Sequence, residues 1–402
     1  MTTNKTVFVH LPASTTIGIA SEILRLALAR AVLFKEIVVP TRVGWPRLLK
    51  SASYPSAIYR VLVAPRLEQG RGWSFACAKI SVFFAQVLES VVTRMRGGHR
   101  AKIHVPSGQE GLYLDSPELY GNVPGGGTGL AQLRRIAHAI RGFGPVTLNE
   151  EATHACAANL GEMGVYPKDW FVCLHVRTSA FHKDQADYRN ASFDNYLLAI
   201  EHIISLGGKV VRLGDAGQGI IPFPMPGLID YPNTRWKSEV MDLYLIKQCR
   251  FYIGTLSGIL DTAYLLQTPT LCVNSLHFDM RSANPCDRML YKHVRRKGRN
   301  RSLTFAEALD SYHDILAEDW YQRYEFDENS GDEILAATRE FISVIEESKR
   351  VTPRQVKARR ILVRKRLRYA AEHGGAYSML AASIAFSRCH IVDQSLAGWD
   401  PM

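Results

Sequence analysis

The sequence predicts an α/β protein with two Rossmann-like domains, each built on a parallel sheet, that face each other across a cleft. At 402 residues the chain is too long for one ordinary core. Its opening reads as a strand, a helix and a strand at residues 6–11, 19–33 and 36–39, which is how a parallel sheet begins. A similar pattern starts again at Trp170. We therefore predict domains at 1–165 and 166–345, followed by a basic helical tail at 346–402 that packs back across them.

The remaining elements follow from apolar runs and the glycines or prolines that interrupt them. Apolar runs bounded by turn residues predict strands, and longer apolar-periodic segments predict helices. The strands are expected at 59–64, 102–105, 171–174, 210–213, 251–253 and 270–273, and the helices at 74–93, 130–141, 149–163, 190–205, 239–248, 260–266, 332–349 and 379–386. The segment 107–129 is rich in Gly, Pro and Ser and predicts a loop; no Gly-Lys-Ser/Thr follows its glycines, which excludes a P-loop.

Composition narrows the class of protein. The hydrophobic content of 47% and aromatic content of 10% are typical of a packed globular chain. The seven cysteines include no Cys-x-x-Cys pair and lie mostly in apolar runs, which indicates buried free thiols in a reducing compartment. Neither a signal peptide nor an apolar run of about 18 residues is present. These features predict a cytoplasmic protein.

The net charge of +11 is concentrated near the C-terminus. The run Lys349–Arg368 holds ten Lys or Arg residues and no acid, so the rest of the chain is close to neutral. Such a run forms either a solvated helix face or a contact with an anionic surface, such as inner-membrane lipid, a polyprenyl-phosphate carrier or an acidic polysaccharide. Nucleic acid is not an expected partner, because the run has few aromatic residues to stack on bases.

The most informative segment is the apolar run 171–174 and the His175-Val176-Arg177 that ends it. Alternation along a strand places His175 and Arg177 on the same side. Both lie at the strand's carboxyl end, where open α/β sheets bind ligands. The arginine suits a diphosphate or carboxylate, or alternatively a structural salt bridge with a neighbouring acid.

Two further strands end in a similar way. Gly214-Asp215 follows one, and Gly254-Thr255-Leu256-Ser257-Gly258 follows the other. In a parallel sheet the three ends converge on one edge. The glycines allow close backbone approach, the amides at a helix start favour an anion, and the hydroxyls of Thr255 and Ser257 add donors. Together they predict a nucleotide-diphosphate site, with Asp215 accepting from the base or ribose.

The order His-Val-Arg, a strand ending in Gly-Asp, and Cys249-to-Gly258 resembles the donor domain of the O-fucosyltransferase-like GT-B superfamily. It is more similar still to a bacterial group of predicted glycosyltransferases. Further matching pieces are Ile17-Gly18 with Glu22, Phe181-His182, Arg189-Asn190, Ile229-Asp230-Tyr231, Lys237-Ser238, Met241-Asp242 and Glu328-Asn329-Ser330. The resemblance covers residues 5–40 and 165–345, about half the chain.

The resemblance implies a GT-B fold in which the second domain holds a nucleotide-sugar donor. It implies that Arg177 binds the diphosphate and stabilises the departing nucleotide, that Thr255 and Ser257 contact phosphate, and that Asp215 contacts the base. Gly258 stands where that superfamily often has a second serine, so the donor need not be GDP-fucose. No Asp-x-Asp metal motif appears, and a reaction without metal or other cofactor is expected.

An inverting transfer needs a general base to deprotonate the acceptor hydroxyl. Glu22, His182 and Asp184 are the candidates, and His175 is expected to position Arg177 or to line the cleft. His182 is equally typical of a surface loop, and Glu22 of an exposed helix.

We thus expect a glycosyltransferase that builds a bacterial surface glycan on a glycan or polyprenyl-linked acceptor. A polysaccharide pyruvyltransferase-like enzyme and an inactive GT-B scaffold that binds glycan or membrane are the alternatives.

Overall fold

The computed structural model describes two parallel sheets with their helices. The described residues are 5–11, 36–42, 61–65, 67, 103–104, 142–178, 189–216, 219–221, 225–275, 284–311, 320–347, 351–373 and 390–396, with seven helical positions between 21 and 32. The predictions for 74–93, 107–129, 130–141 and 379–386 lie outside these residues.

The first sheet is the parallel start that the sequence predicts. β1 (Lys5–Leu11) lies between β2 (Glu36–Arg42) and β4 (Ile103–His104). The β1–β2 register runs from Lys5 opposite Glu36 to Leu11 opposite Arg42, and β4 is parallel to β1. Of the predicted strand 59–64, residues 61–64 are described; Leu62–Val63 form β3, which pairs antiparallel with β5 (Thr147–Leu148).

The second sheet has seven strands, all parallel, in the order β14-β11-β10-β9-β6-β7-β8. Both of its faces are buried: Val172 and Leu174 of β6 contribute to one apolar cluster, Phe171 and Cys173 to the other. A parallel sheet covered on both faces requires such unbroken apolar strands. The strands are β6 (Phe171–His175), β7 (Lys209–Arg212), β8 (Leu228–Ile229), β9 (Phe251–Gly254), β10 (Thr270–Ser275), β11 (Arg288–Tyr291) and β14 (His390–Ile391).

The helices cover the sheets and start at recognisable caps. Asn149 Oδ1 accepts from Ala152 N at 2.9 Å, and Ser238 Oγ accepts from Met241 N at 3.1 Å. Such caps satisfy amides that have no partner within the helix. The helices are α1 (Glu150–Glu162), α2 (Leu197–Ser205), α3 (Glu239–Gln248), α4 (Gly258–Leu265), α5 (Phe305–Asp310), α6 (Trp320–Arg323), α7 (Gly331–Glu347) and α8 (Pro353–His373).

Several elements differ from the sequence prediction. The helix predicted from 190 begins as α2 at Leu197, after a 3₁₀ turn at Phe193–Tyr196. The short ribbon of β12 (His293–Arg296) and β13 (Tyr324–Asp327) was not expected, since both strands carry many charges. From the C-terminal tail, β14 joins the second sheet beside β11. The proposed domain boundaries remain a prediction.

The first and second halves of the chain meet at α4. Ser21 Oγ lies 2.8 Å from Thr262 Oγ1 in a buried contact, and the Arg25 guanidinium lies over the Tyr264 ring. Leu24 and Leu28 from the same helical segment belong to the apolar cluster that includes α4. The fold therefore buries this segment against the helix that follows β9.

None of the helices in the described part of the chain is long and apolar enough to cross a membrane. The cytoplasmic location stays a prediction.

The contact of β6 with β9 gives the first testable prediction. A Cβ at Gly254 would lie 2.6 Å from the His175 carbonyl oxygen and 2.6 Å from the Tyr252 hydroxyl oxygen. We expect Gly254→Ala to lower the free energy of unfolding by about 1–3 kcal/mol, since the overpacked strands must separate. Urea unfolding measures the change.

Gly161→Ala is the matched control, because no atom lies within 4 Å of the added Cβ. Gly161 lies in the last turn of α1, where that substitution is expected to stabilise the protein by less than about 1 kcal/mol. Equal effects of the two substitutions would contradict the steric argument.

Candidate functional site

The three strand ends that the sequence singled out are neighbours in the second sheet. β6 lies between β9 and β7, with His175 opposite Gly254 and Leu174 opposite Arg212. Leu213 N donates to Leu174 O at 2.7 Å, so the chain after β7 stays beside β6. The predicted convergence of these ends on one edge is thus observed.

Thr255 joins the ends of β6 and β9. Its amide donates to His175 O at 3.1 Å, and its Oγ1 accepts from Arg177 N at 3.0 Å. Thr255 is completely buried. Its oxygen therefore holds the backbone of Arg177 in place, a positioning role that the sequence did not reveal.

His175 is buried beside Ser257. Ser257 Oγ lies 3.1 Å from His175 Nδ1, and which atom donates depends on the tautomer of the ring. Burial lowers the pKa of His175 to about 3, and the positive charges of Lys237, Arg177 and Arg212 act in the same direction. At neutral pH His175 is an uncharged imidazole in a positive field, and it can exchange a hydrogen bond with Ser257 but supplies no charge.

Ser257 and Gly258 form the start of α4 at this edge. Ser257 is the N-cap, with φ of −159°, but its hydroxyl bonds to His175 instead of capping the helix. Ser257 is half-buried and Gly258 is exposed. The first amides of a helix point beyond its N-terminus and favour an anion there. Ser257 is accessible to a phosphate and the completely buried Thr255 is not, so the predicted contact of Thr255 with phosphate does not fit the structure and that of Ser257 stays a prediction.

Gly214 and Asp215 follow β7. Gly214 is buried with φ of +140°, a backbone conformation that favours glycine. It turns the chain so that Asp215 is exposed. The carboxylate of Asp215 is thus accessible, and its contact with a base or ribose stays a prediction.

An ion pair that sequence reasoning missed fixes the loop carrying Asp215. Arg212 is buried, lies 2.7 Å from Asp230 Oδ1, and donates to Gly219 O at 2.6 Å. Asp230 Oδ2 accepts from Ile221 N at 3.2 Å and from Asn233 Nδ2 at 2.8 Å. In the sequence, the only signals of this pair were the position of Arg212 at the end of an apolar strand and the segment 229–231.

A second buried ion pair lies behind His175. The Lys237 ammonium contacts both oxygens of Asp242, at 2.7 and 2.5 Å, and Asp242 is buried. Burial raises the pKa of Asp242, while the Lys237 charge opposes this effect. The Tyr231 hydroxyl donates to Ser238 O at 3.1 Å and accepts from Ser238 N at 3.0 Å, which fixes the segment that carries Lys237.

Arg177 is half-buried at the end of β6. Its carbonyl accepts from Ala191 N at 3.0 Å, which brings together the two ends of the intervening segment. The candidate bases Glu22, His182 and Asp184 lie outside the described residues. The structure thus brings Arg177, His175, Ser257, Gly258, Gly254, Thr255, Gly214 and Asp215 to one edge.

No protein-family model matches the chain, and no curated protein matches its sequence. Solved structures match its fold. A glycosyl transferase family 9 protein from Veillonella parvula has 11% identity and a TM-score of 0.44, over 85% of this chain and 98% of that protein. The heptosyltransferase TibC of enterotoxigenic E. coli has 13% identity and a TM-score of 0.40, over 86% of this chain and 77% of that protein. The NodZ alpha-1,6-fucosyltransferase of Bradyrhizobium has 14% identity and a TM-score of 0.31, over 65% of this chain and 93% of that protein.

At these identities the likeness is one of fold. The two parallel sheets confirm the α/β class predicted from the sequence. The structures named above are glycosyltransferases; at identities of 11–14% and TM-scores below 0.5, their function stays a prediction for this chain.

The prediction of a reaction without a metal is contradicted by the comparison with TibC, which is described as iron-containing. In the described part of the chain no group of three or more His, Cys, Asp or Glu residues is placed to hold a metal ion.

The buried neutral imidazole predicts a pH dependence of stability. Between pH 6.5 and 3 the unfolded chain takes up a proton that folded His175 does not. Acidification over this window therefore costs the wild type up to about 1.4 kcal/mol per pH unit. In His175→Gln this loss is absent, so the difference in unfolding free energy between wild type and variant should shrink from pH 7 to pH 4.

Urea unfolding of both proteins at several pH values measures this difference. The contributions of the other titrating groups cancel in the difference, because both chains share those groups. A difference that stays constant with pH would contradict a buried neutral His175.

Proposed function

We propose that the protein is a glycosyltransferase that uses a nucleotide-sugar donor. The observation that carries this proposal is the convergence of Arg177, Ser257 with the start of α4, and exposed Asp215 on adjacent strand ends. The positive charges of Lys237, Arg177 and Arg212 contribute to the lowered pKa of His175, which supports an anion at this edge. A diphosphate with a sugar and a base attached fits this set of groups.

In this proposal Arg177 carries the main catalytic role. Departure of the nucleotide builds negative charge on the diphosphate, and a guanidinium held in place stabilises that charge in the transition state. Thr255 supports this by binding the Arg177 amide. Ser257 donates to the phosphate while His175 orients its hydroxyl. Asp215 accepts from the base or ribose.

The finer parts of the proposal rest on the sequence. The transfer is inverting, with Glu22 or His182 as the general base that deprotonates the acceptor. Residues 166–345 hold the donor, and 1–165 face the acceptor, which is a glycan or a polyprenyl-linked sugar. The run Lys349–Arg368 makes peripheral contact with an anionic membrane surface; within it, Arg360 and Arg364 of α8 are exposed.

The test is a thermal-shift series with GDP, UDP, ADP, CMP and their sugars. One nucleotide is expected to raise the melting temperature of the wild type by several degrees. In Arg177→Ala the shift should disappear while the protein stays folded, because the half-buried side chain serves the ligand.

Arg235→Ala is the matched control: it removes the same charge from an exposed pair with Glu162, and its nucleotide shift should equal that of the wild type. Absence of a shift with every nucleotide would overturn the proposal and favour a pyruvyltransferase or a binding scaffold.

A further inference from the structure

The β12–β13 ribbon begins at the same sheet edge as the candidate site. β12 starts where Lys292 N donates to Ser275 O at 3.0 Å, at the end of β10. The chain after β13 comes back to the end of β10, where Asn329 N donates to Asn274 Oδ1 at 2.7 Å. Four residues of strand span about 13 Å. The far end of the ribbon therefore lies up to about 13 Å from the end of β10.

A cavity of about 610 Å³ lies at this far end. The turn after β12 lines it with Arg296, Arg299, Asn300 and Arg301, and Ser311 after α5 lines the other side. Its volume is typical of a small-molecule site. The cavity is separate from the strand ends of β6, β7 and β9.

The cavity carries an excess of positive charge. Its two carboxylates already have cationic partners: Glu307 with Arg301 at 2.6 Å, and Asp310 with Lys365 of α8 at 2.8 Å. Arg296 and Arg299 are exposed and have no carboxylate partner among the described residues; Arg296 only approaches Ser311 Oγ at 3.5 Å. Two guanidinium groups in the cavity are thus uncompensated.

The backbone of this turn is held by other side chains. The Arg295 guanidinium donates to Arg299 O at 3.1 Å and is itself bound by Asp327 and Glu325. Thr304 and Glu307 form a capping box at the start of α5. Because Arg295 holds the turn, Arg296 and Arg299 are not needed to hold it, and both line the cavity.

We propose that this cavity binds the phosphate of the acceptor, an inference that rests on the proposed glycosyl transfer. Paired guanidinium groups form charge-assisted bonds to phosphate oxygens, and Asn300 and Ser311 add polar contacts. The phosphate belongs either to a soluble sugar phosphate or to a lipid-linked one; both present the same oxygens.

The experiment measures binding of inorganic pyrophosphate by calorimetry in the Arg177→Ala background, which removes the candidate donor site. Adding Arg296→Ala and Arg299→Ala should weaken pyrophosphate binding tenfold or more. Adding Lys297→Ala and Lys168→Ala instead removes the same charge from exposed positions that do not line the cavity, and should change it less than twofold. Equal affinities in the two variants would overturn the proposal.

Two further probes distinguish the sources of phosphate. Glucose 1-phosphate tests a soluble acceptor, and phosphatidylcholine vesicles with and without a polyisoprenyl phosphate test a lipid-linked one. The probe whose binding is lost in Arg296→Ala/Arg299→Ala but kept in the control variant identifies the source of the phosphate. A vesicle response lost equally in both variants, with no response to glucose 1-phosphate, would overturn the proposal.

Nucleotide binding by the same variants separates the two proposals. Arg296→Ala/Arg299→Ala in the otherwise wild-type chain should keep the full nucleotide shift. A different result is phosphate binding that depends on Arg296 and Arg299 in a protein that no nucleotide stabilises. The cavity would then be a phosphate site, but the glycosyltransferase function and the acceptor role of the cavity would both be overturned.

Discussion

The close approach of β6 and β9 at their carboxyl ends is the constraint on which the candidate site depends. Gly254 lies directly opposite His175, and a single methyl group there would contact the His175 carbonyl oxygen. Only with this spacing does Thr255 reach both His175 and Arg177. The same spacing places Ser257 beside the imidazole. A backbone contact between two strands thus sets the positions of the polar groups that follow them.

The parts of the fold that were predictable are those whose signal lies within one segment. β6, β7 and β9 are apolar runs that stop at polar residues or glycine, so their ends were recognisable and their convergence followed from parallel pairing. β8 and β14 have two residues each, too few for a periodic signal. β14 also pairs with β11 about 100 residues away, and such partners leave no trace in local composition.

In the candidate site, the residue types were predictable but their burial and pairing were not. Arg177, Asp215 and Ser257 were chosen because a polar residue after a core strand has no role in the core. The sequence does not show that Thr255 is buried and bound to a backbone amide, because threonine is typical of both settings. Nor does it show that Asp242 is buried with Lys237: a lysine and an aspartate five residues apart are most often solvated.

The paired and unpaired carboxylates divide the sheet edge into regions of different charge. Asp242 and Asp230 are held against Lys237 and Arg212, so neither presents a free negative charge to an anion bound beside His175. Asp215 is exposed and would repel a diphosphate placed next to it. A donor bound as proposed must therefore lie with its diphosphate toward β6 and α4 and its neutral base toward the end of β7. The direction of the nucleotide across the edge follows from charge alone, whichever base it carries.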